Sequence, residues 1–183
     1  MIALPMQQYH AATTLHLGSS SWRRIKDTGI PPRGKVNGLY VNNSLARTEA
    51  IMNGYDDALI LTEDGFVSEG STSNIIIVRN GILITPPPYM DILEGITLDS
   101  VGKIANSLGK TVQVRPIHRS EVYIADEVFL CGTAAEIRPV TRVDNRVISE
   151  GKLGPITKKI QDMFARIVRG HEPDLRHWLE PVS

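Results

Sequence analysis

The 183-residue chain is predicted to fold as a mixed α/β domain. Three observations carry that reading. Short apolar runs of strand length recur along the chain, as at Asp57-Ala58-Leu59-Ile60-Leu61 and Asn74-Ile75-Ile76-Ile77-Val78. Tight-turn signals follow two of them and send the chain straight back, at Glu63-Asp64-Gly65 and at Asn80-Gly81, where both Asn and Gly tolerate positive φ. Longer segments set apart from these runs carry apolar residues at helical spacing. Runs of strands with separate helices point to mixed layers around one core.

The elements follow in order. Thr14-Leu15-His16-Leu17 is a candidate short strand, and Ser21-Trp22-Arg23-Arg24 leads toward another. Gly29-Ile30-Pro31-Pro32 is a loop by its proline content. Residues 1–34 are read as a linker and lead-in segment, and 35–183 as the main body of a single domain. A helix is expected from about Val41 to Asn53, favoured by Ala46, Glu49 and Ala50 and stopped by Gly54. The two strand pairs around Glu63-Asp64-Gly65 and Asn80-Gly81 come next, with Phe66–Glu69 and Ile82–Ile84 as the returning strands, and Pro86-Pro87-Pro88 closes them. Leu98, Val101, Ile104, Ala105 and Leu108 share one helical face, with Thr97 expected as the cap and Gly109 as the stop. Thr111–Val114 alternates like a strand, and Glu127–Cys131 reads as a buried one. A hairpin is expected over Arg142–Ile148 around Asp144-Asn145. The last helix starts at Pro155, with Ile156, Ile160, Met163, Phe164 and Ile167 on its apolar face. The tail after Arg169 is polar apart from Trp178 and Leu179.

Composition narrows the functional classes. The chain is 42% hydrophobic and 22% charged, so it has the apolar content to bury a core. Twenty basic and twenty acidic residues cancel, which leaves no electrostatic case for nucleic acid or an anionic membrane as partner. One cysteine, Cys131, excludes an internal disulfide framework and is expected to be a small buried hydrophobe. The first residues lack the basic start and apolar run of a signal peptide, and no apolar stretch has membrane-spanning length, so a cytoplasmic location is expected. The five histidines show no metal-ligand spacing, and no metal is expected.

The chemistry lies in a scattered set. Lys35 sits in Arg33-Gly34-Lys35-Val36-Asn37-Gly38-Leu39-Tyr40. Alone it reads as a surface lysine. Between glycines in a partly buried site it would be a nucleophilic amine, because burial disfavours the ammonium form. Glu69 closes a strand ahead of Gly70; as an ordinary residue it is a loop glutamate, and as a functional one it is a carboxylate that keeps a pyridine nitrogen protonated. Gly95-Ile96-Thr97 opens a helix, either as a plain cap or as an anion site built from free N–H groups and the helix dipole. Gly132-Thr133-Ala134-Ala135 follows a buried strand, as a tight turn or as the lining of a ligand crevice. Tyr40 is a half-buried core tyrosine or a partner for a phenolic oxygen. Taken together, an amine, a phenol, a carboxylate and two Gly/Thr turns describe a pocket for a phosphate-bearing aldehyde, pyridoxal phosphate.

These motifs, in this order, resemble the fold-type IV pyridoxal phosphate enzymes, the class IV aminotransferases. Ser20-Ser21-Trp22-Arg23-Arg24, Ala125-Asp126-Glu127-Val128-Phe129 and Gly132-Thr133-Ala134-Ala135-Glu136-Ile137 with Pro139-Val140 are similar to the branched-chain amino acid aminotransferases in particular. The resemblance implies a pseudo-barrel of mixed strands with surrounding helices. It implies that Lys35 is the Schiff-base lysine, that Tyr40 meets the cofactor oxygen and Glu69 the pyridine nitrogen, and that Ile96, Thr97 and Thr133 hold the phosphate. Thr133 and Ala134 would bind the substrate carboxylate. It also implies transfer of an amino group between a branched-chain L-amino acid and 2-oxoglutarate, and a homodimer. The same resemblance leaves room for a D-amino acid aminotransferase, an aminodeoxychorismate lyase relative or a non-catalytic cofactor-binding remnant. Leu39, Leu98 and Arg138 depart from the family pattern, which usually places Asn, Arg and a small polar residue there. A small N-terminal domain usually precedes this region, and the chain is expected to lack it.

Overall fold

The computed structural model describes residues 13–180; the first twelve positions of the expected lead-in segment lie outside the described residues. Nine strands form one mixed sheet: β1 (Leu15–Arg23), β2 (Asp57–Leu61), β3 (Val67–Gly70), β4 (Asn74–Arg79), β5 (Ile82–Thr85), β6 (Val112–Val114), β7 (Glu127–Gly132), β8 (Glu136–Val143) and β9 (Arg146–Val147). Four helices join them: α1 (Leu39–Met52), α2 (Ile96–Ser107), α3 (Arg119–Tyr123) and α4 (Pro155–Val168). The strand order is β3-β2-β1-β8-β7-β4-β5-β6, with β9 paired to β8.

The order follows from how the chain connects its strands. β1 and β2 are parallel, and so are β5 and β6. Each of these two pairs is joined through a helix, α1 in the first case and α2 in the second, because a parallel pair needs a crossover rather than a hairpin; β1 and β8 are also parallel, though far apart in the chain. Hairpins link β2 to β3, β4 to β5 and β7 to β8 in antiparallel register. The sheet curls into a half-barrel. Its two ends are brought together where the segment after β6 reaches β3: the Val67 N–H donates to the Ile117 carbonyl at 2.9 Å, and Phe66 forms a bridge with His118.

Curling gives the sheet two differently filled faces. The inner face packs Leu15, Leu17, Leu59, Ile75, Ile77 and Leu130 into one apolar cluster. The outer face packs Ile76, Phe129 and Ile137 against α2 and α4, which present Val101, Ile104 and Ala105 from the first and Ile160 and Ile167 from the second. Neighbouring residues of one strand, such as Ile75 and Ile76, serve opposite faces, and this is why β4 reads as an unbroken apolar run. The apolar faces expected for α2 and α4 are the ones that pack. α1 is covered differently, by small residues: Ala46 and Ala50 meet Ala58 and Ile60.

Three differences from expectation bear on the sheet and on the start of α2. Leu15–Arg23 is one nine-residue strand rather than two fragments. It lies between β2 and β8, so part of the lead-in segment sits at the middle of the sheet. Second, β8 begins at Glu136, well before the expected hairpin. Its Pro139 discourages a strand reading, yet the β1–β8 pairing starts only at Val140. Among the described residues Pro139 is therefore paired on one side alone, where a residue without an N–H is tolerated. Third, α2 starts at Ile96 with Gly95 as its N-cap, and Thr97 lies inside the first turn. The hairpin after β8 is as expected, with Asp144 and Asn145 both at positive φ (49° and 62°).

Candidate functional site

One concavity gathers the scattered chemistry. It is a cavity of about 480 Å³ to which Lys35, Tyr40, Glu69, Ile96, Thr97, Thr133 and Ala134 all contribute. Its volume lies within the roughly 300–1,000 Å³ usual for small-molecule sites.

Lys35 is delivered by a short 3-10 turn, Pro32–Gly34, which prolines start and Lys35 ends in the left-handed region (φ 49°, ψ 40°). That conformation is uncommon for a residue with a Cβ. It turns the chain sharply so that α1 begins within a few residues. Tyr40, in the first turn of α1, comes back beside the lysine, and Lys35 Nζ donates to the Tyr40 hydroxyl at 2.9 Å. The partial burial expected of Lys35 is not found: its side chain is exposed.

Glu69 lines the same cavity from β3 and is buried. Its Oε1 pairs with Arg24 Nη2 at 2.8 Å. Its Oε2 accepts the Leu93 N–H at 3.0 Å and Asn74 Nδ2 at 3.3 Å. Loss of water pushes the Glu69 carboxyl up to about 7, while Arg24, the Leu93 N–H and Lys35 pull it back down. A buried carboxylate of this kind, set in a concavity with a charge partner, is typical of functional sites.

The first turn of α2 also lines the cavity. Among the described residues no side chain caps that turn, and an α-helix leaves its first N–H groups without intrahelical partners. The N–H groups of Ile96 and Thr97 are therefore available there, at the positive end of the helix dipole. The Ile96 side chain is 84% exposed, so the backbone is what this residue offers the cavity. Gly95 is required by packing: a Cβ there would lie 2.3 Å from Asn74 Oδ1. Thr133 and Ala134 occupy the turn between β7 and β8. Cys131, one step before that turn, is fully buried, and its thiol is pushed far up by burial. Ser73 is also buried and lines the cavity, and among the described residues its hydroxyl has no hydrogen-bond partner.

Two site residues escaped the sequence reading. Arg24 follows β1 directly and is buried. Asn43 accepts from it on the inner side of α1. Arg24 stood beside Trp22 and Arg23 as part of a motif, with nothing to separate a buried arginine from an exposed one. Asn43 did leave a signal. The buried positions of α1 are Leu39, Asn43, Ala46 and Ala50, so a polar residue interrupts an otherwise apolar helical stripe, and a buried amide requires partners. Among the described residues no cluster of His, Cys, Asp and Glu could hold a metal ion, and no helix is long and apolar enough to cross a membrane.

Comparison with known proteins agrees with this geometry. The family model described as "Amino-transferase class IV" matches residues 1–143. A protein of Aquifex aeolicus (strain VF5) named "Probable branched-chain-amino-acid aminotransferase" is 53% identical over 164 residues, covering 89% of this chain and 53% of its own length. The crystal structure of the branched-chain aminotransferase of Thermoproteus uzoniensis with norvaline superposes with a TM-score of 0.95 at 43% identity, covering 100% of this chain and 60% of that one. The crystal structure of the branched-chain amino acid aminotransferase of Thermobaculum terrenum in its PLP-form gives a TM-score of 0.90 at 46% identity, covering 93% of this chain and 56% of that one. The chain thus spans a little over half the length of the relatives it matches. A family match over most of the chain, together with near-superposable folds at this identity, leads to one conclusion: the chain belongs to the class IV aminotransferases.

Proposed function

We propose that this chain carries the cofactor side of a pyridoxal phosphate-dependent transaminase acting between a branched-chain L-amino acid and 2-oxoglutarate. The observation that carries the reading is the 2.9 Å contact between Lys35 Nζ and the Tyr40 hydroxyl, in the same cavity as the buried Glu69 and the uncapped first turn of α2. The donor set fits the cofactor in kind: an amine for an aldehyde, a phenol for a phenolic oxygen, a carboxylate for a pyridine nitrogen and free N–H groups for a phosphate. The Thermobaculum terrenum relative, solved in its PLP-form, supports the same assignment.

Bound there, pyridoxal phosphate would supply an electron sink for the charge left when a substrate Cα loses its proton. The remaining roles fall to the chain. Lys35 would hold the cofactor through its amine, and the same amine, when free, would be the base for the substrate Cα proton. Tyr40 keeps Nζ oriented through the hydrogen bond it accepts. Glu69 holds a proton on the ring nitrogen. Ile96 and Thr97 bind the phosphate through their N–H groups, Thr133 adds to that site, and the Thr133-Ala134 turn receives the substrate carboxylate. The hydrophobic substrate class rests on the branched-chain relatives. The homodimer belongs to the same reading, and an apolar stripe exposed on α1 (Val41, Leu45 and Met52) supports it.

The deciding experiment is chemical. The chain is incubated with pyridoxal phosphate, reduced with borohydride and mapped by mass spectrometry. The expected outcome is one adduct, on Lys35, absent from Lys35→Ala. A panel of L- and D-amino acids with 2-oxoglutarate then tests the substrate class. An adduct distributed over surface lysines, with none on Lys35, would refute the assignment.

A further inference from the structure

Building on that cofactor reading, we infer that Arg24, clamped by Asn43, is the positioning residue that favours the ionised form of Glu69 against its burial and aims it into the cavity. The guanidinium is fixed on three sides. Its Nη2 pairs with Glu69 Oε1 at 2.8 Å, its Nε donates to the Asp91 carbonyl at 2.9 Å, and its Nη1 donates to Asn43 Oδ1 at 2.5 Å. Arg24 is 3% exposed, and a planar fork held at three points has no rotational freedom left. Asn43 is held in turn, because its Nδ2 donates to the Ser71 carbonyl at 2.7 Å.

The surroundings of Glu69 make Arg24 necessary. A carboxylate without water becomes protonated unless a positive charge and hydrogen-bond donors compensate. The groups facing Glu69 are few. Arg24 comes from the end of β1, Asn74 from β4, and the Leu93 N–H from the loop before α2. Lys35 acts on it at longer range. The Asp91 carboxylate takes the Asp27 N–H at 3.0 Å, so the group that residue turns toward Arg24 is its carbonyl. Arg24 is thus the only full charge in contact with Glu69 among the described residues. A ring nitrogen cannot keep its proton against a neutral carboxylic acid, so the cofactor reading needs this pair. One helix serves both pairs: α1 sets Tyr40 beside Lys35 and, one turn later, Asn43 against Arg24.

The test reads Glu69 directly in the cofactor-free chain. Side-chain carboxylates are labelled with carbon-13 and titrated by NMR, and Glu69→Gln identifies the resonance. In Arg24→Met the Glu69 midpoint is expected to rise by about 1–3 pH units. Arg24→Lys should recover part of that rise, and Asn43→Ala should produce a smaller one. A folded R24M with the wild-type midpoint would overturn the inference. If circular dichroism shows R24M unfolded, unshifted midpoints in both R24K and N43A overturn it instead. Borohydride mapping of Lys35 on the same samples separates this inference from the cofactor reading. A shifted Glu69 with no Lys35 adduct refutes only the cofactor reading. An adduct with an unmoved Glu69 refutes only the role of Arg24.

Discussion

Glu69 combines burial with a charge, and that conflict has a measurable consequence for folding. Its carboxyl is pushed from an ordinary 4.5 to about 7 in the folded chain, mainly by loss of water. Between those values the folded chain holds a proton that the unfolded chain has released. By linkage, the Glu69 contribution to stability is therefore fully present below about pH 4.5 and is lost as pH rises through about 7. The fall is at most about 3 kcal/mol for a shift of this size. Glu69→Gln cannot titrate, so denaturant curves of the cofactor-free variant should lack this component of the slope. Parallel stability–pH profiles for wild type and variant would show that Glu69 is not the group responsible. At the same scale, Lys35, Tyr40, Glu69 and the two Gly/Thr turns were legible in the sequence because each bears chemistry at a marked position. Arg24 was not, because its importance comes from burial, which no local pattern in Trp22-Arg23-Arg24 reveals, and Asn43 was marked only by its place in the apolar stripe of α1.

Among the elements, α4 shows how a helix far from the cavity is tied to the strand that leads into it. Glu127, at the start of β7, accepts the N–H groups of Ile156 and Thr157 at 2.9 and 2.7 Å and the Thr157 hydroxyl at 2.6 Å. This is a cap supplied from another element, with a negative charge at the positive end of the helix. Gly154 accommodates it, since a Cβ there would fall 2.1 Å from Glu127 Cδ. The sequence placed the start of α4 at Pro155 correctly but offered no capping residue beside it, because the cap comes from 28 positions earlier in the chain. Glu127→Ala should cost about 1–3 kcal/mol, from the lost cap and the N–H groups of Ile156 and Thr157 left unpaired, the second of them buried. Thermal or chemical denaturation at neutral pH reads this loss. Because Glu127 does not line the cavity, the Lys35 adduct should still form in the folded variant. A stability change below about 0.5 kcal/mol, the usual range for an uninvolved surface site, would mean that α4 does not depend on this cap.

For the whole molecule, the strands were largely legible and the way they join was not. Turn signals and apolar runs located β2 to β5 and β7 because burial on both faces leaves a continuous apolar run. Pairing order depends on contacts between distant segments, such as β1 beside β8 and the Ile117 segment against β3, which no window of sequence contains. The same limit applies to assembly, and α1 is where it can be tested. Its inner side is buried at Leu39, Asn43, Ala46 and Ala50. Its outer side leaves Val41, Leu45 and Met52 exposed by 64%, 42% and 81%. Four- and seven-residue steps place those three along one line of the helix, so they form a stripe rather than scattered apolar residues. A stripe of that kind beside a ligand cavity marks an interaction surface, and the proposed homodimer provides its occupant. Light scattering should give twice the 20.2 kDa chain mass, and Leu45→Glu should return the mass to that of one chain. Because Leu45 lies outside the cavity lining, a monomeric L45E that still forms the Lys35 adduct would separate assembly from cofactor binding. A wild-type chain that stays at a single chain mass at every concentration would remove the homodimer from the reading.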